Sequence, residues 1–100
     1  MRWAARTDGN QSDLIKELRK IGADVADTSR LGGGFPDLVV GYRGTNYLIE
    51  VKDPKQKPSD RKLTPKEKDF FDRWGSGPCF VVETLDGFLE LAKHHEKRVV

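Results

Sequence analysis

The chain has 100 residues, of which 36 % are apolar and 34 % are charged, and its formal net charge is +2 at pH 7. This length predicts a single domain over residues 1–100 with one small core, and the apolar fraction is too high for a disordered chain. The single cysteine, Cys79, excludes an intrachain disulfide and is interpreted as a small core residue rather than a catalytic thiol. Because the sequence shows neither a signal peptide nor a membrane span, we expect a cytoplasmic protein.

The first predicted helix begins near Asp8. Asp8 is the expected N-cap, and Gln11, three residues later, is the expected partner in a capping box. The helix has one apolar stripe, formed by Leu14, Ile15, Leu18 and Ile21. Gln11 lies on the same stripe and therefore points inward, and Gly22 is the predicted helix stop.

A hairpin is predicted after a glycine loop. A short strand over residues 25–29 is followed by three consecutive glycines at 32–34. The segment 37–42 has the apolar character of a strand, 43–46 has the composition of a turn, and 47–52 is the returning strand. Two strands joined by a short glycine-containing turn indicate a hairpin.

A charged, proline-containing loop separates the hairpin from the second predicted helix. The loop covers residues 53–62, and Thr64 then acts as N-cap, with Glu67 closing a capping box. The apolar positions of this helix are Phe70, Phe71 and Trp74, which we assign to the core or to a dimer interface. A strand over 79–83 and a helix over 85–94 complete the order α-β-β-β-α-β-α. This order predicts a mixed α/β domain with a central sheet flanked by helices.

Three charged residues of the hairpin are predicted to converge. Side chains alternate along a strand, so Glu50 and Lys52 share one face. If Tyr42 pairs with Tyr47 across the turn, Asp37 falls opposite Lys52 and diagonal to Glu50. A divalent cation between the two carboxylates would relieve their repulsion, and oxygen ligands favour Mg²⁺ or Mn²⁺.

These residues have an ordinary structural interpretation beside the chemical one. Asp37 alone is typical of a turn, and Glu50 with Lys52 is typical of an exposed ion pair. All three together favour a site in which the Val51 carbonyl adds a further metal ligand. The metal would acidify a bound water and neutralise a phosphate, and Lys52 would orient or deprotonate that water.

The same residues resemble a known nuclease signature. Pro36-Asp37 followed by Glu50-Val51-Lys52 is similar to the motif of the PD-(D/E)XK nuclease superfamily. Three runs resemble the virus-type replication-repair nuclease (VRR-NUC) domains more narrowly: Gly-Gly-Phe-Pro-Asp-Leu-Val-Val-Gly (33–41), Ile-Glu-Val-Lys (49–52) and Leu-Thr-Pro (63–65). The resemblance extends from about residue 8 to residue 92.

This resemblance implies a restriction-endonuclease-like fold and a Mg²⁺- or Mn²⁺-dependent endonuclease, with Asp37, Glu50 and Lys52 as catalytic residues. It further implies branched DNA, such as Holliday junctions or flaps, as substrate in DNA repair. It also implies a homodimer in a bacterial or phage-infected cell. The family's first helix often supplies an acidic metal ligand, and that position corresponds here to Gln11. Gln11 is therefore either a metal ligand or a helix cap, and Glu67 stands where the family often has glutamine.

The expected DNA-binding residues lie in two loops. The basic side chains assigned to phosphate contact are Lys55, Lys57, Arg61 and Lys62. A charge run of this kind is also typical of a solvated surface. The backbone of Gly33 and Gly34 would let a DNA strand approach closely, although a flexible loop has the same composition. Two rival functions are a non-catalytic DNA-binding module that keeps the nuclease fold, which Gln11 favours, and a small protein-interaction domain.

Overall fold

A computed structural model of the chain describes residues 10–99. Its elements, in chain order, are α1 (Gln11–Lys20), β1 (Asp24–Asp27), β2 (Leu38–Tyr42), β3 (Thr45–Val51), α2 (Pro65–Arg73), β4 (Cys79–Val82) and α3 (Leu85–Val99). This order confirms the predicted α/β arrangement. A short 3₁₀ helix (Pro58–Arg61) lies in the segment predicted as an irregular loop, and α3 continues beyond its predicted end at His94.

The four strands form one mixed sheet in the order β1-β2-β3-β4. β2 pairs antiparallel with both β1 and β3, whereas β3 pairs parallel with β4. A parallel pair needs a long crossover connection, and the chain provides it through the charged loop and α2. The end of β3 and the start of α2 are therefore consecutive parts of one crossover.

The predicted hairpin register was wrong by two residues. Tyr42 pairs with Thr45, and Tyr47 pairs with Val40. The turn has only two central residues, Arg43 and Gly44, with φ angles of 50° and 84°, as the tight turns of hairpins require. Continuing this register by one pair places Asp37 opposite Glu50 rather than opposite Lys52. Because side chains alternate with a period of two, the change leaves every side chain on its predicted face.

One face of the sheet forms the core with α1 and α3. The buried side chains of this cluster are Leu14, Leu18, Ala23, Leu38, Val40, Tyr47, Ile49, Val51, Val82, Phe88 and Ala92. Tyr47 and Phe88 meet edge to face, with ring centroids 5.3 Å apart. None of the helices that the structure describes has the length and hydropathy of a membrane span.

The ends of α1 agree only partly with the sequence prediction. Gly22, with φ 93°, terminates the helix as predicted, and its N–H donates to the Arg19 carbonyl at 3.1 Å in a Schellman-type stop. The start differs, because the N-cap is Asn10 and Gln11 is the first helical residue. Gln11 cannot then occupy the third helical position that a capping box with Asp8 requires, and Asp8 lies outside the described residues.

Candidate active site

Asp37 directly precedes β2, and both its main-chain carbonyl and its side-chain carboxylate accept hydrogen bonds from main-chain N–H groups. The Thr28 N–H donates to the Asp37 carbonyl at 2.8 Å, which fixes the residue against the end of β1. The Val51 N–H donates to Asp37 Oδ2 at 2.9 Å. This hydrogen bond holds the carboxylate of the half-buried Asp37 against β3, beside Glu50.

Glu50 is a buried carboxyl group with a strongly raised pKa. Its side chain lies on the sheet face opposite the core, and the residue is only 3 % exposed. Its Oε1 atom is buried and has no hydrogen-bond partner among the described residues. The pKa of Glu50 is raised to about 9. Burial is the largest cause, the neighbouring charge of Asp37 and contacts with Glu67 act in the same direction, and Lys52 opposes the rise. Without a cation the site therefore favours the neutral form of Glu50.

Lys52 follows β3 directly and lies between two carboxyl groups. Its Nζ atom is 3.1 Å from Glu67 Oε1 and 3.6 Å from Glu50 Oε2. The Lys52 N–H donates to the Val82 carbonyl at 3.0 Å, which extends the parallel pairing past the end of the strand. The residue is 8 % exposed, so its ammonium group is held within the fold rather than in solvent.

Glu67 belongs to this site, although the sequence indicated mainly its capping role. The capping box is present, because Thr64 N–H donates to Glu67 Oε1 at 2.9 Å and Glu67 N–H donates to Thr64 Oγ1 at 3.3 Å. Burial acts to raise the pKa of Glu67, but hydrogen bonds from the Thr64 backbone, Glu50 and Lys52 outweigh it and lower that pKa. The signal that could have identified Glu67 is its position in the first turn of α2, the helix that follows β3.

Asn10 is a second residue that the sequence prediction missed. Its Nδ2 atom donates to the carbonyls of Glu83 at 2.8 Å and Lys52 at 3.2 Å. These bonds attach the start of α1 to the C-terminal ends of β3 and β4. The neighbouring residue, Gln11, is 2 % exposed, and neither polar atom of its amide has a partner within residues 10–99. A buried amide without partners costs about 1–3 kcal/mol, so the described residues leave the hydrogen-bonding capacity of Gln11 unsatisfied.

The predicted DNA-binding residues occupy different environments. Lys55, Lys57 and Lys62 are exposed. Arg61 is half-buried, and its Nη1 atom lies 3.1 Å from Glu83 Oε2, so it joins the 3₁₀ helix to the end of β4.

The two glycines also differ from each other. A Cβ atom at Gly34 would overlap the carbonyl of Lys66, whereas one at Gly33 would meet nothing within 4 Å. The close approach that Gly34 permits is therefore made to the first turn of α2. An approach of DNA to either glycine stays a prediction.

The site offers few side chains that could bind a metal. Within residues 10–99 no group of three or more His, Cys, Asp or Glu side chains is arranged to hold a metal.

Cys79 pairs with Leu48 on the Glu50 side of the sheet. Burial, with a smaller contribution from Glu50, raises the pKa of the Cys79 thiol to about 11. A raised thiol pKa disfavours the nucleophilic thiolate, in line with the interpretation that Cys79 is not a catalytic thiol. The residue is half-buried, however, and not the core residue that was predicted.

A solved structure described as a VRR-NUC domain is similar to this chain. The two sequences are 28 % identical, the match covers 85 % of this chain and 91 % of that chain, and the TM-score is 0.60. This likeness supports the assignment of the chain to the VRR-NUC type. No family model matches the sequence, and no curated protein matches it either. The VRR-NUC likeness agrees with the predicted family, confirms the predicted restriction-endonuclease-like fold class, and supports a nuclease-type domain.

Proposed function

We propose that this VRR-NUC domain is a metal-dependent endonuclease that hydrolyses DNA phosphodiester bonds. The observation that supports this proposal is the crowding of Asp37 and Glu50 beside Lys52. Glu50 Oε1 is buried there without a partner among the described residues, and burial together with the Asp37 charge raises the pKa of Glu50 to about 9. Perturbed ionisable groups that converge in this way are typical of catalytic sites.

The residues present fit a small divalent cation. Carboxylate, carbonyl and amide oxygens are the donors that Mg²⁺ and Mn²⁺ prefer. Asp37 and Glu50 would hold the metal, with the Val51 carbonyl and the Gln11 side-chain oxygen as neutral ligands. A positive ion there would offset both the burial and the Asp37 charge that favour the protonated form of Glu50, and Glu50 Oε1, which has no partner among the described residues, would gain a ligand bond. When bound, the metal supplies charge neutralisation at the phosphate and acidification of a water.

Lys52 and the charged loop would act on the DNA itself. The Lys52 ammonium would orient the attacking water and stabilise the negative charge that develops on the phosphate. Lys55, Lys57 and Lys62 are free to contact backbone phosphates, which fixes DNA without reading its sequence. A phosphate contact by Arg61 would have to compete with Glu83, so we expect a smaller contribution from it.

Branched DNA and a homodimer form the finer part of this proposal, and the family likeness supports both. Two sites related by a two-fold axis would suit paired cuts across a four-way junction. Trp74 is 42 % exposed and Val81, on the edge strand β4, is 39 % exposed. These apolar side chains are candidates for the dimer interface. Analytical ultracentrifugation of the wild type and of Val81→Lys would test the dimer.

The deciding experiment is cleavage of labelled linear, flapped and four-way-junction DNA with Mg²⁺, Mn²⁺ or EDTA. We compare the wild type with Glu50→Gln, and with Glu90→Gln as a matched control at an exposed carboxylate of α3. The proposal expects metal-dependent cutting that Glu50→Gln abolishes and Glu90→Gln retains. The Gln11 amide favours one alternative, a non-catalytic DNA-binding module. Salt-sensitive binding without cutting in either metal would support that alternative and refute the endonuclease.

A further inference from the structure

We propose that Glu67 is the positioning residue for Lys52, so that a carboxylate of α2 fixes the direction in which the ammonium group of the catalytic strand points. The inference rests on the proposed nuclease function and adds a residue to it. Glu67 Oε1 is the nearer of the two carboxylate oxygens around Lys52 Nζ, at 3.1 Å against 3.6 Å for Glu50 Oε2.

The chemistry of lysine explains why such a partner is needed. Its ammonium group is a point charge on a flexible four-carbon stem, so it has no preferred direction of its own. The other carboxyl group at Lys52 belongs to Glu50, which the metal would also require. Glu67 would then hold Lys52 in place while the Glu50 oxygens face the cation.

The fold gives Glu67 a rigid support for this task. Its Oε1 atom accepts from the Thr64 N–H at 2.9 Å as well as from Lys52, so one oxygen joins the helix cap to the lysine. The first turn of α2 also abuts Gly34, in the loop that leads to Asp37. The same turn therefore contacts both segments that supply the catalytic residues.

A role as a metal ligand does not account for Glu67 equally well. Asp37, Glu50 and Glu67 do not form a three-carboxylate metal group within residues 10–99. Glu67 Oε1 is already bonded to a main-chain N–H and to an ammonium group, and the Glu67 side chain also hydrogen-bonds the Glu50 carboxyl group. Glu67 is thus placed to act through Lys52.

The test compares Glu67→Ala with Thr64→Ala. Both substitutions break the capping box, so both should lower the Tm to a similar extent, but only Glu67→Ala removes the carboxylate that lies 3.1 Å from Lys52 Nζ. We expect the single-turnover cleavage rate at saturating DNA to fall about 10- to 100-fold in Glu67→Ala. The rate should change little in Thr64→Ala, and the Kd for DNA should be similar in both. Glu67→Gln keeps an acceptor oxygen and should recover part of the rate. Equal rates in Glu67→Ala and Thr64→Ala would overturn the proposal.

A second measurement separates this proposal from the nuclease function itself. In ¹⁵N NMR spectra, the Lys52 ammonium protons should exchange slowly in the wild type and in Thr64→Ala, and fast in Glu67→Ala. Unchanged exchange in Glu67→Ala refutes the positioning role, whether or not the protein cuts DNA. If the wild type cuts no DNA, the nuclease proposal fails, and the NMR comparison still decides whether Glu67 holds Lys52.

Discussion

Replacing Glu50 by glutamine should make the metal-free domain more stable at neutral pH while removing the proposed nuclease activity. The folded-state pKa of Glu50 is raised to about 9 from an ordinary value of 4.5. The fold therefore favours the neutral carboxyl group, and the stability that depends on this form is complete below pH 4.5. It is lost as the pH rises toward 9, because the unfolded chain ionises first. Glutamine has nearly the same shape and stays neutral throughout.

The size of this effect follows from the proton that the folded state retains. One retained proton lowers the free energy of unfolding by about 1.4 kcal/mol for each pH unit. Between pH 5 and pH 8 the loss therefore amounts to at most about 4 kcal/mol, which is large beside the roughly 5–15 kcal/mol that stabilises a typical domain. The difference between wild type and Glu50→Gln isolates this contribution, since most other titrating groups are common to both.

Urea denaturation in EDTA at pH 5, 6.5 and 8 measures this difference. We expect Glu50→Gln to gain stability relative to the wild type as the pH rises. Because Mg²⁺ or Mn²⁺ would bind the ionised Glu50, either ion should stabilise the wild type more strongly at pH 8 than at pH 6. Neither ion should stabilise Glu50→Gln appreciably. Parallel pH profiles for the two proteins in EDTA, or equal stabilisation of both by metal, would refute this reasoning.

Two further substitutions test how the surrounding structure supports the site. Gly34 and Gly33 both have positive φ angles, at 83° and 68°, so alanine is strained at each position, but only at Gly34 would it overlap the first turn of α2. Gly34→Ala should therefore lower the urea midpoint and the cleavage rate clearly more than Gly33→Ala does, and equal effects would show that the close approach is unimportant. Asn10→Ala should destabilise the domain by about 1–3 kcal/mol, because two partly buried carbonyls lose their donor. Hydrogen exchange should then increase most at the start of α1, and a uniform increase over the sheet would contradict this account.

The order of the elements could be predicted because its signals are local in sequence. Thr64, Pro65 and Glu67 specify the start of α2 within four residues, and the structure shows the predicted capping box. Gly22 ends α1 because the left-handed conformation there is available to glycine at little cost. Neither feature depends on distant parts of the chain.

The features that sequence reasoning missed depend on contacts between distant segments. The start of α1 is fixed by bonds from Asn10 to the carbonyls of Lys52 and Glu83, which no local pattern reveals. The hairpin register depends on Arg43 adopting a positive φ of 50°, which is uncommon for a residue other than glycine. The site prediction tolerated this error because a register change of two residues keeps each side chain on its face.

Several buried polar groups of the domain belong to the start of α1 and to β3. Glu50 Oε1, the Gln11 amide and Asn10 Oδ1 are all buried polar groups without partners among the described residues. The sheet face that lies opposite Glu50 holds the apolar cluster around Tyr47 and Ile49, where burial stabilises the fold. If these polar groups served only the fold, apolar residues of similar size would stabilise it better. The presence of Glu50 among these groups, with Lys52 and Glu67 beside it, agrees with the metal site that we propose.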